Sequence, residues 1–379
     1  MTSIRVLHTR VVSGHGGGPE KTILNSPRFL ADDGYDMLLA YMRDPKDPGF
    51  ETLLNRAQEK SANLVGVDDR GALDRGVYTQ LRDVCSTYQP HIWHGHDYKS
   101  NLLGPLVRRK VPMRLVTTLH GWVDYTWKTP LYYAIDRWSL RFYDHVVCVS
   151  TDLYDAALKS GCPEKKVTFI PNAIDIDEFK RTLPAAQSTL RADVASDTLV
   201  LGAIGRLSPE KGFDNLIRAV CQIVKSGVTN LQIWIIGEGR DRERLEALID
   251  ELRMGAHVRL LGQRSDMLAV LEALDLFVLS SIREGLPNVV LEAMAMEIPI
   301  VATRVGSVPD VVEDGATGRL IEPGNVSELI AGIENMLANP VERERQASAA
   351  RSVIEERYSF AVRMQRMKRV YEHVLAEQE

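Results

Sequence analysis

Two carboxylates eight residues apart, Glu284 and Glu292, enclose the run Gly285-Leu286-Pro287-Asn288-Val289-Val290-Leu291. An apolar segment with strand character, Leu276 to Leu279, precedes them, and the run reads as a loop passing into a helix over Asn288 to Met296. Pro287 fits the first helical turn, where its missing N–H is no loss. Gly285 leaves space for a ligand to approach the backbone. The amides at such a helix start, around Leu286, Asn288 and Val289, suit an anion such as a diphosphate. Glu292 would stand roughly 7.5 Å further along the axis. That is about the span from a nucleotide's phosphates to its ribose, whose adjacent hydroxyls suit a carboxylate acceptor. Glu284, on the other side of the helix start, would meet a sugar joined to the diphosphate. Alone, the two glutamates read as a solvated loop acid and an exposed helix acid. The Gly-Leu-Pro turn and the strand before it direct them to a nucleotide-sugar.

A second charged group precedes this one. Arg206 and Lys211 lie in the loop Arg206-Leu207-Ser208-Pro209-Glu210-Lys211-Gly212, directly after a strand over Leu199 to Gly205. Two cations at a strand's carboxyl end are placed to hold a diphosphate. In the first half, Ser13-Gly14-His15-Gly16-Gly17-Gly18 links a strand (Ile4 to His8) to a helix opening at Pro19 and Glu20. It lacks the G-x-G-x-x-G spacing of a dinucleotide site, but a glycine loop at a helix start can receive a sugar or phosphate. His120 follows the strand Leu115 to Thr118, at the strand end where open α/β sheets bind ligands; a capped loop histidine fits equally.

Metal chemistry finds less support. His94 and His96 are two apart with no further ligand nearby in sequence, so they read as strand-end loop residues. Asp175 and Asp177 form a D-x-D pair inside a linker, where surface solvation or capping explains them. No metal and no cofactor are expected.

Strand and helix signals alternate throughout, the mark of doubly wound α/β domains. The first series ends with strands over Val146 to Ser150 and Val167 to Ile170. A polar, proline-containing stretch follows, and the pattern restarts at Leu199. With 379 residues and 45% hydrophobic content, two domains are expected: 1–175, and 176–358 across an interdomain cleft, with a final amphipathic helix within 359–379. A net charge of −5 excludes an overall basic footprint for nucleic acid. The four cysteines form no CxxC pair and read as reduced core residues of a cytoplasmic protein. No run of 18 apolar residues exists to span a membrane.

Two segments bear on an acceptor. Trp122, Tyr125, Trp127, Tyr132, Tyr133, Trp138, Phe142 and Tyr143 crowd one stretch, where aromatic faces suit a sugar ring or an apolar acceptor. Trp138 and Phe142, four apart, read instead as core. Arg108, Arg109, Lys110 and Arg114 beside Leu106, Val107, Val111 and Met113 read as a solvated loop. They could also make a peripheral contact with anionic lipid at the inner face of the membrane.

The stretches Gly16-Gly17-Gly18-Pro19-Glu20, Thr117 to Gly121, Ile170-Pro171-Asn172, Gly205 to Gly212 and Glu284 to Glu292 together resemble the retaining nucleotide-sugar glycosyltransferases of family four. These are the group 1 type, with the GT-B fold of two Rossmann-like domains. The resemblance covers nearly the whole chain and is more specific in the second half. It implies that Gly17 and Gly18 lie against the donor and that His120 contacts its sugar. Arg206 and Lys211 would hold the diphosphate, Glu284 the sugar hydroxyls, Glu292 the ribose, and Gln263 and Arg264 would border the base. It further implies that the last helix packs back onto the N-terminal domain. Ala173 and Ile174 after Pro171-Asn172, and Pro19 in the glycine loop, depart from the family pattern. No motif marks the acceptor.

The function so implied is transfer of a hexose from a UDP- or GDP-type donor to a hydroxyl on a glycan, a lipid-linked glycan or a small molecule, with retention and without metal. A nucleotide-sugar epimerase and a non-catalytic sugar-nucleotide-binding protein share fold and donor and remain as alternatives. An NAD oxidoreductase is disfavoured by the missing fingerprint.

Overall fold

The computed structural model describes residues 3–14, 16–72, 74–121 and 129–377. The chain divides into two compact units, 1–172 with 360–379, and 173–359. The division falls between Asn172 and Ala173, just ahead of the boundary read after Asp175.

The first unit runs β1 (Ile4–Val11), α1 (Gly18–Leu30), β2 (Tyr35–Arg43), α2 (Gly49–Glu59), β3 (Asn63–Asp68) and α3 (Gly76–Tyr88). It continues with β4 (Ile92–Gly95), α4 (Tyr98–Arg108), β5 (Arg114–Leu119), α5 (Thr129–Ser139), β6 (His145–Cys148), α6 (Thr151–Lys159) and β7 (Val167–Phe169). The second unit runs β8 (Leu199–Ile204), α7 (Phe213–Lys225), β9 (Leu231–Ile236), α8 (Arg242–Leu252), β10 (Val258–Gly262) and α9 (Met267–Glu272). It ends with β11 (Leu276–Leu279), α10 (Asn288–Ala295), β12 (Ile300–Thr303), β13 (Arg319–Ile321), α11 (Val326–Ala338) and α12 (Pro340–Val353), before α13 (Phe360–Ala376) rejoins the first unit.

Both sheets are parallel throughout, in the orders β3-β2-β1-β4-β5-β6-β7 and β10-β9-β8-β11-β12-β13. Strand order therefore reverses between β1 and β4, and again between β8 and β11, and ligands of such sheets bind beyond the strand ends at that reversal. Helices cover both faces, so β4, β6, β11 and β12 are buried end to end and β1 and β8 at their centres, as the apolar runs in the sequence require. In the second unit Val200 and Phe277 point into one cluster, while Leu201 and Val278 enter the other. The four cysteines are free and buried.

Several elements escaped the sequence reading. Strand β3 is an edge strand, half exposed and interrupted by Gly66, so it shows little apolar pattern. Helix α4 contains Gly104 and Pro105, which signal a break, yet Asp97 caps it, accepting from the Lys99 and Ser100 amides at 2.9 Å each. Helix α12 buries only Gln346, Ala347 and Ala350.

Two surface expectations need correction. Trp138 and Phe142 do share a face, but they are 47% and 37% exposed rather than core, with rings T-shaped at 4.9 Å. The four-residue period shows only that side chains are neighbours, not which side they face. Arg108 closes α4 and pairs with Asp144 at 3.0 Å, and Arg114 reaches the same carboxylate at 3.6 Å, so neither is a solvated loop cation. Trp122, Tyr125 and Trp127 lie outside the described residues, as does His15.

Candidate active site

In the second unit the loops after β8 and β11 meet at the strand-order reversal. The loop after β8 closes in a short turn over Pro209–Lys211 and ends at Gly212, whose φ is +61°. A Cβ there would lie 2.3 Å from the Ser280 carbonyl oxygen, so only glycine lets the two loops abut. The Ser280 hydroxyl donates to the Lys211 carbonyl at 2.9 Å, and the Ile282 amide to the Glu210 carbonyl at 2.8 Å. These bonds set the Lys211 ammonium against the Glu284 carboxylate in an ion pair, 73 residues apart in sequence. The Ser281 hydroxyl donates to the same carboxylate oxygen at 2.8 Å. The two charged side chains are only 17% and 12% exposed, so the pair is partly withdrawn from solvent.

A third loop supports the far side. The Ser307 amide donates to the Gly285 carbonyl at 3.0 Å, and the Thr303 hydroxyl to the Ser281 carbonyl at 2.7 Å. Gly306, at φ +50°, packs so closely on the Glu284 and Gly285 carbonyls that a Cβ would lie 2.3 and 2.4 Å from them.

Helix α10 begins at Asn288. Pro287 is its N-cap, with ψ 126°, rather than a residue of the first turn, and no side chain caps the helix amides. Asn288 keeps a buried Oδ1 without a partner. Leu286 and Val289 rest on the apolar core. Glu292, one turn on, is 2% exposed, which removes the reading of it as an exposed helix acid. Arg206 is exposed just past β8. Gln263 and Arg264 follow β10, two strands away. Gln263 is exposed, and Arg264 forks onto Asp266, with Nε donating at 2.8 Å.

In the first unit the glycine loop differs from its expected use. Gly17 is exposed and caps α1, but its amide donates to Glu20 Oε2 at 2.6 Å. Gly18 opens the helix. Glu20 is buried and also holds Arg10, which donates through Nη1 to the His96 carbonyl at 2.9 Å. This helix start thus carries its own carboxylate. Gly17 can present a bare backbone surface to a donor, but its amide is already engaged.

His120 is half-buried and ends a line of imidazoles. His8 Nδ1 and His96 Nε2 are 2.9 Å apart, and His96 Nδ1 and His120 Nε2 are 3.0 Å apart. Burial pushes His8 down to about 3, and holds His94, His96 and His120 well below the usual imidazole range. Neighbouring imidazoles deepen the shift at His94 and His96, and Arg10 and Arg363 deepen it at His120. All four rings are therefore neutral near neutrality.

His94 and His96, without partners nearby in sequence, gain them from other strands and from α13. Strand register sets His8 beside His94. His94 bonds the Tyr371 hydroxyl at 2.7 Å and the Thr118 hydroxyl at 2.8 Å. The ligating nitrogens of His8, His94 and His96 lie within 4.8 Å of one another. The His94 and His96 rings are stacked at 4.3 Å and 22°. Their in-plane lone pairs therefore run side by side rather than converging on one ion. In the linker, Asp175 is buried and accepts from the Asp177 amide at 3.2 Å, so it braces the turn instead of facing water.

Sequence models of two families cover most of the chain: Glycosyltransferase Family 4 over residues 16–178, and Glycosyl transferases group 1 over residues 189–353. A GDP-mannose-dependent alpha-(1-6)-phosphatidylinositol monomannoside mannosyltransferase of Mycolicibacterium smegmatis is 30% identical, over 66% of this chain and 67% of that protein. The chain belongs to the group 1 glycosyl transferases. Putative glycosyltransferase EpsD of Bacillus subtilis is 28% identical over 70% of this chain and 72% of its own. Some relatives are matched over less: the lipopolysaccharide core biosynthesis glycosyltransferase LpsE of Rhizobium meliloti, 31% identical, is spanned over 48% of its length and 45% of this chain. Among solved structures, Anabaena Alr3699/HepE in complex with UDP has a TM-score of 0.82 at 22% identity, covering 98% of this chain and all of that one. The fold is accordingly the GT-B type, two Rossmann-like α/β domains.

Within this glycosyltransferase, sequence reasoning missed Ser281, Gly306, Arg10 and the line from His8 to His120. Ser281 lies three residues before Glu284, within reach of a loop turn, and could have been found. The others depend on strand order.

Proposed function

We propose that the protein transfers a hexosyl group from a nucleoside diphosphate sugar to a hydroxyl acceptor, with retention of configuration and without a metal ion. The observation that carries this reading is the contact between Lys211 and Glu284. A glycosidic phosphate bond joins an anion to a polyol, so the groups that hold its two halves must be neighbours. A cation touching a carboxylate, partly dry, supplies that adjacency.

When the bond from the anomeric carbon to phosphate oxygen breaks, the electron pair stays on the diphosphate. Lys211, Arg206 and the amides of α10 stabilise that charge. The helix start contributes roughly half a positive charge, which with the two cations takes the place of a divalent ion. The departing phosphate oxygen accepts the acceptor's proton as the new C–O bond forms on the same face. Glu284 orients sugar hydroxyls and Glu292 the ribose. Gln263 and Arg264 lie against the base.

HepE has been solved with UDP and with UDP-glucose, and the mycobacterial relative is GDP-mannose-dependent; either nucleotide suits the reading. Thermal shifts with UDP-, GDP- and ADP-sugars select the donor, since a ligand of the folded state raises its melting point. Turnover of that donor in excess chelator, with the anomeric coupling of the product read by NMR, tests the rest. Strict metal dependence, or an inverted product, overturns it.

A lipid-borne acceptor at the inner face of the membrane is the extension the first unit favours. No described helix is long and apolar enough to cross a membrane. Leu102 and Leu106 of α4 and Trp138 and Phe142 are exposed around a cavity of about 340 Å³. Arg109, Lys110, Arg137 and Arg141 are exposed beside them, and Arg141 lies 5.3 Å from the Trp138 ring centroid. Cations around an apolar face match an anionic lipid surface. Equal co-sedimentation with neutral and anionic vesicles would remove this extension.

A further inference from the structure

A second cavity of about 340 Å³ lies in the first unit against β6, β7 and α13. Lys165, Arg366 and Arg369 line it together with His145, Thr168 and His373. Arg366, Arg369 and His373 recur at three and four residues on α13, so they share one face of that helix. Lys165 comes from the turn before β7, and His145 opens β6. The polar groups therefore converge from three separate elements. His145 and Lys165 sit at the amino ends of their strands, whereas His120 follows the carboxyl end of β5.

Two features set this cavity apart from an ordinary charged surface. Among the described residues no ion pair reaches Lys165, Arg366 or Arg369. The next cation on the same helix, Lys368, is paired with Asp33. Glu377 lies 3.6 Å from His373 Nε2. Unpaired like charges repel, and an anion placed among them relieves that repulsion. Second, His145 is 4% exposed and uses Nε2 on the Thr168 hydroxyl at 2.8 Å, while its Nδ1 is buried with no partner. His145 thus keeps one ring nitrogen without a partner among the described residues.

We propose that this cavity binds a phosphate-bearing ligand, its oxygens held by Arg366, Arg369 and Lys165 and its carbon portion against Phe169 and Val370. Planar guanidinium forks match phosphate oxygens, and the cavity has the volume of a small-ligand site. The same chemistry serves a soluble organic phosphate and a lipid phosphate headgroup.

Calorimetric titration of the full chain, its donor site first saturated with UDP, with inorganic pyrophosphate, and separately with dihexanoyl phosphatidic acid below its micelle concentration, tests the site. Saturable 1:1 binding of at least one probe is expected. It should weaken tenfold or more in the double variant Arg366→Gln, Arg369→Gln, and persist in Lys211→Gln. Preference for pyrophosphate marks a soluble ligand, and preference for the short-chain lipid marks a headgroup. UDP binding should be unchanged in the double variant, which shows that its fold is intact. No saturable binding of either probe overturns the proposal, as does binding that ignores the double variant or vanishes in Lys211→Gln.

Discussion

Helices α1 and α10 both start after a strand and a glycine-containing loop, yet they end up chemically opposed. At α1 the Gly17 amide is taken by Glu20, whose carboxylate is in turn held by Arg10. At α10 the cap is Pro287, which offers no side-chain acceptor to the first amides, and the first turn holds no acid. A helix start attracts an anion only while its amides are unspent and no fixed carboxylate sits on them. The same strand-loop-helix grammar thus yields a self-satisfied terminus in one unit and an open one in the other.

The largest test of this contrast lies on the open side. Arg206→Ala or Lys211→Ala should lower turnover about 10²-fold or more, the scale of one lost preorganised partner for the leaving group. Steady-state kinetics with a verified donor decide it; near-wild-type turnover in both variants would sink the diphosphate assignment.

On the closed side, Glu20→Gln should act on folding more than on donor binding. Losing a charged acceptor that serves both Gly17 and Arg10 should cost about 2 kcal/mol of stability, measured by urea unfolding. Donor affinity should change by less than about tenfold. A tighter donor complex in this variant would mean that Glu20 competes with the ligand for the α1 amides.

Glu292→Gln separates binding from chemistry at α10. Donor binding should weaken about tenfold, equivalent to about 1.4 kcal/mol, with kcat little altered, because ribose contacts are alike in ground and transition states. Unchanged affinity with abolished turnover would move Glu292 into the reaction itself.

A further effect concerns pH. His8 is held at about 3 in the folded protein, and His94, His96 and His120 are also lowered, against about 6.5 when unfolded. Below pH 6.5 the unfolded chain binds more protons, so stability should fall as pH drops through that window. Each buried imidazole can contribute a slope of up to about 1.4 kcal/mol per pH unit. His8→Phe should flatten the dependence of the urea midpoint on pH; an unaltered slope would show that His8 is not one of the groups responsible.

Much of the second unit's site was legible because it is local. Glu284, Pro287 and Glu292 fall within one loop and one helix, where spacing converts directly to distance. Arg206 and Lys211 follow β8 directly, so their loop position was readable as well. The first unit was harder to read. His94 and His96 resembled a partnerless pair because His8 lies 88 residues from His96 in sequence. Trp138 and Phe142 kept their predicted spacing and lost their predicted burial, since periodicity is silent about which face an element turns inward.

The sequence by itself determined two parallel α/β units, the loops that carry charge, and the helix start that lacks an acid. Those features depend on hydrophobic period, glycine and proline positions, and contacts within a few residues. Tertiary structure alone decided that Lys211 meets Glu284 and that His8 and His96 stand behind His120. Each of those pairings joins loops or strands that become neighbours through sheet order and register. Those neighbours are chosen by packing of the whole unit, not by any one stretch of chain.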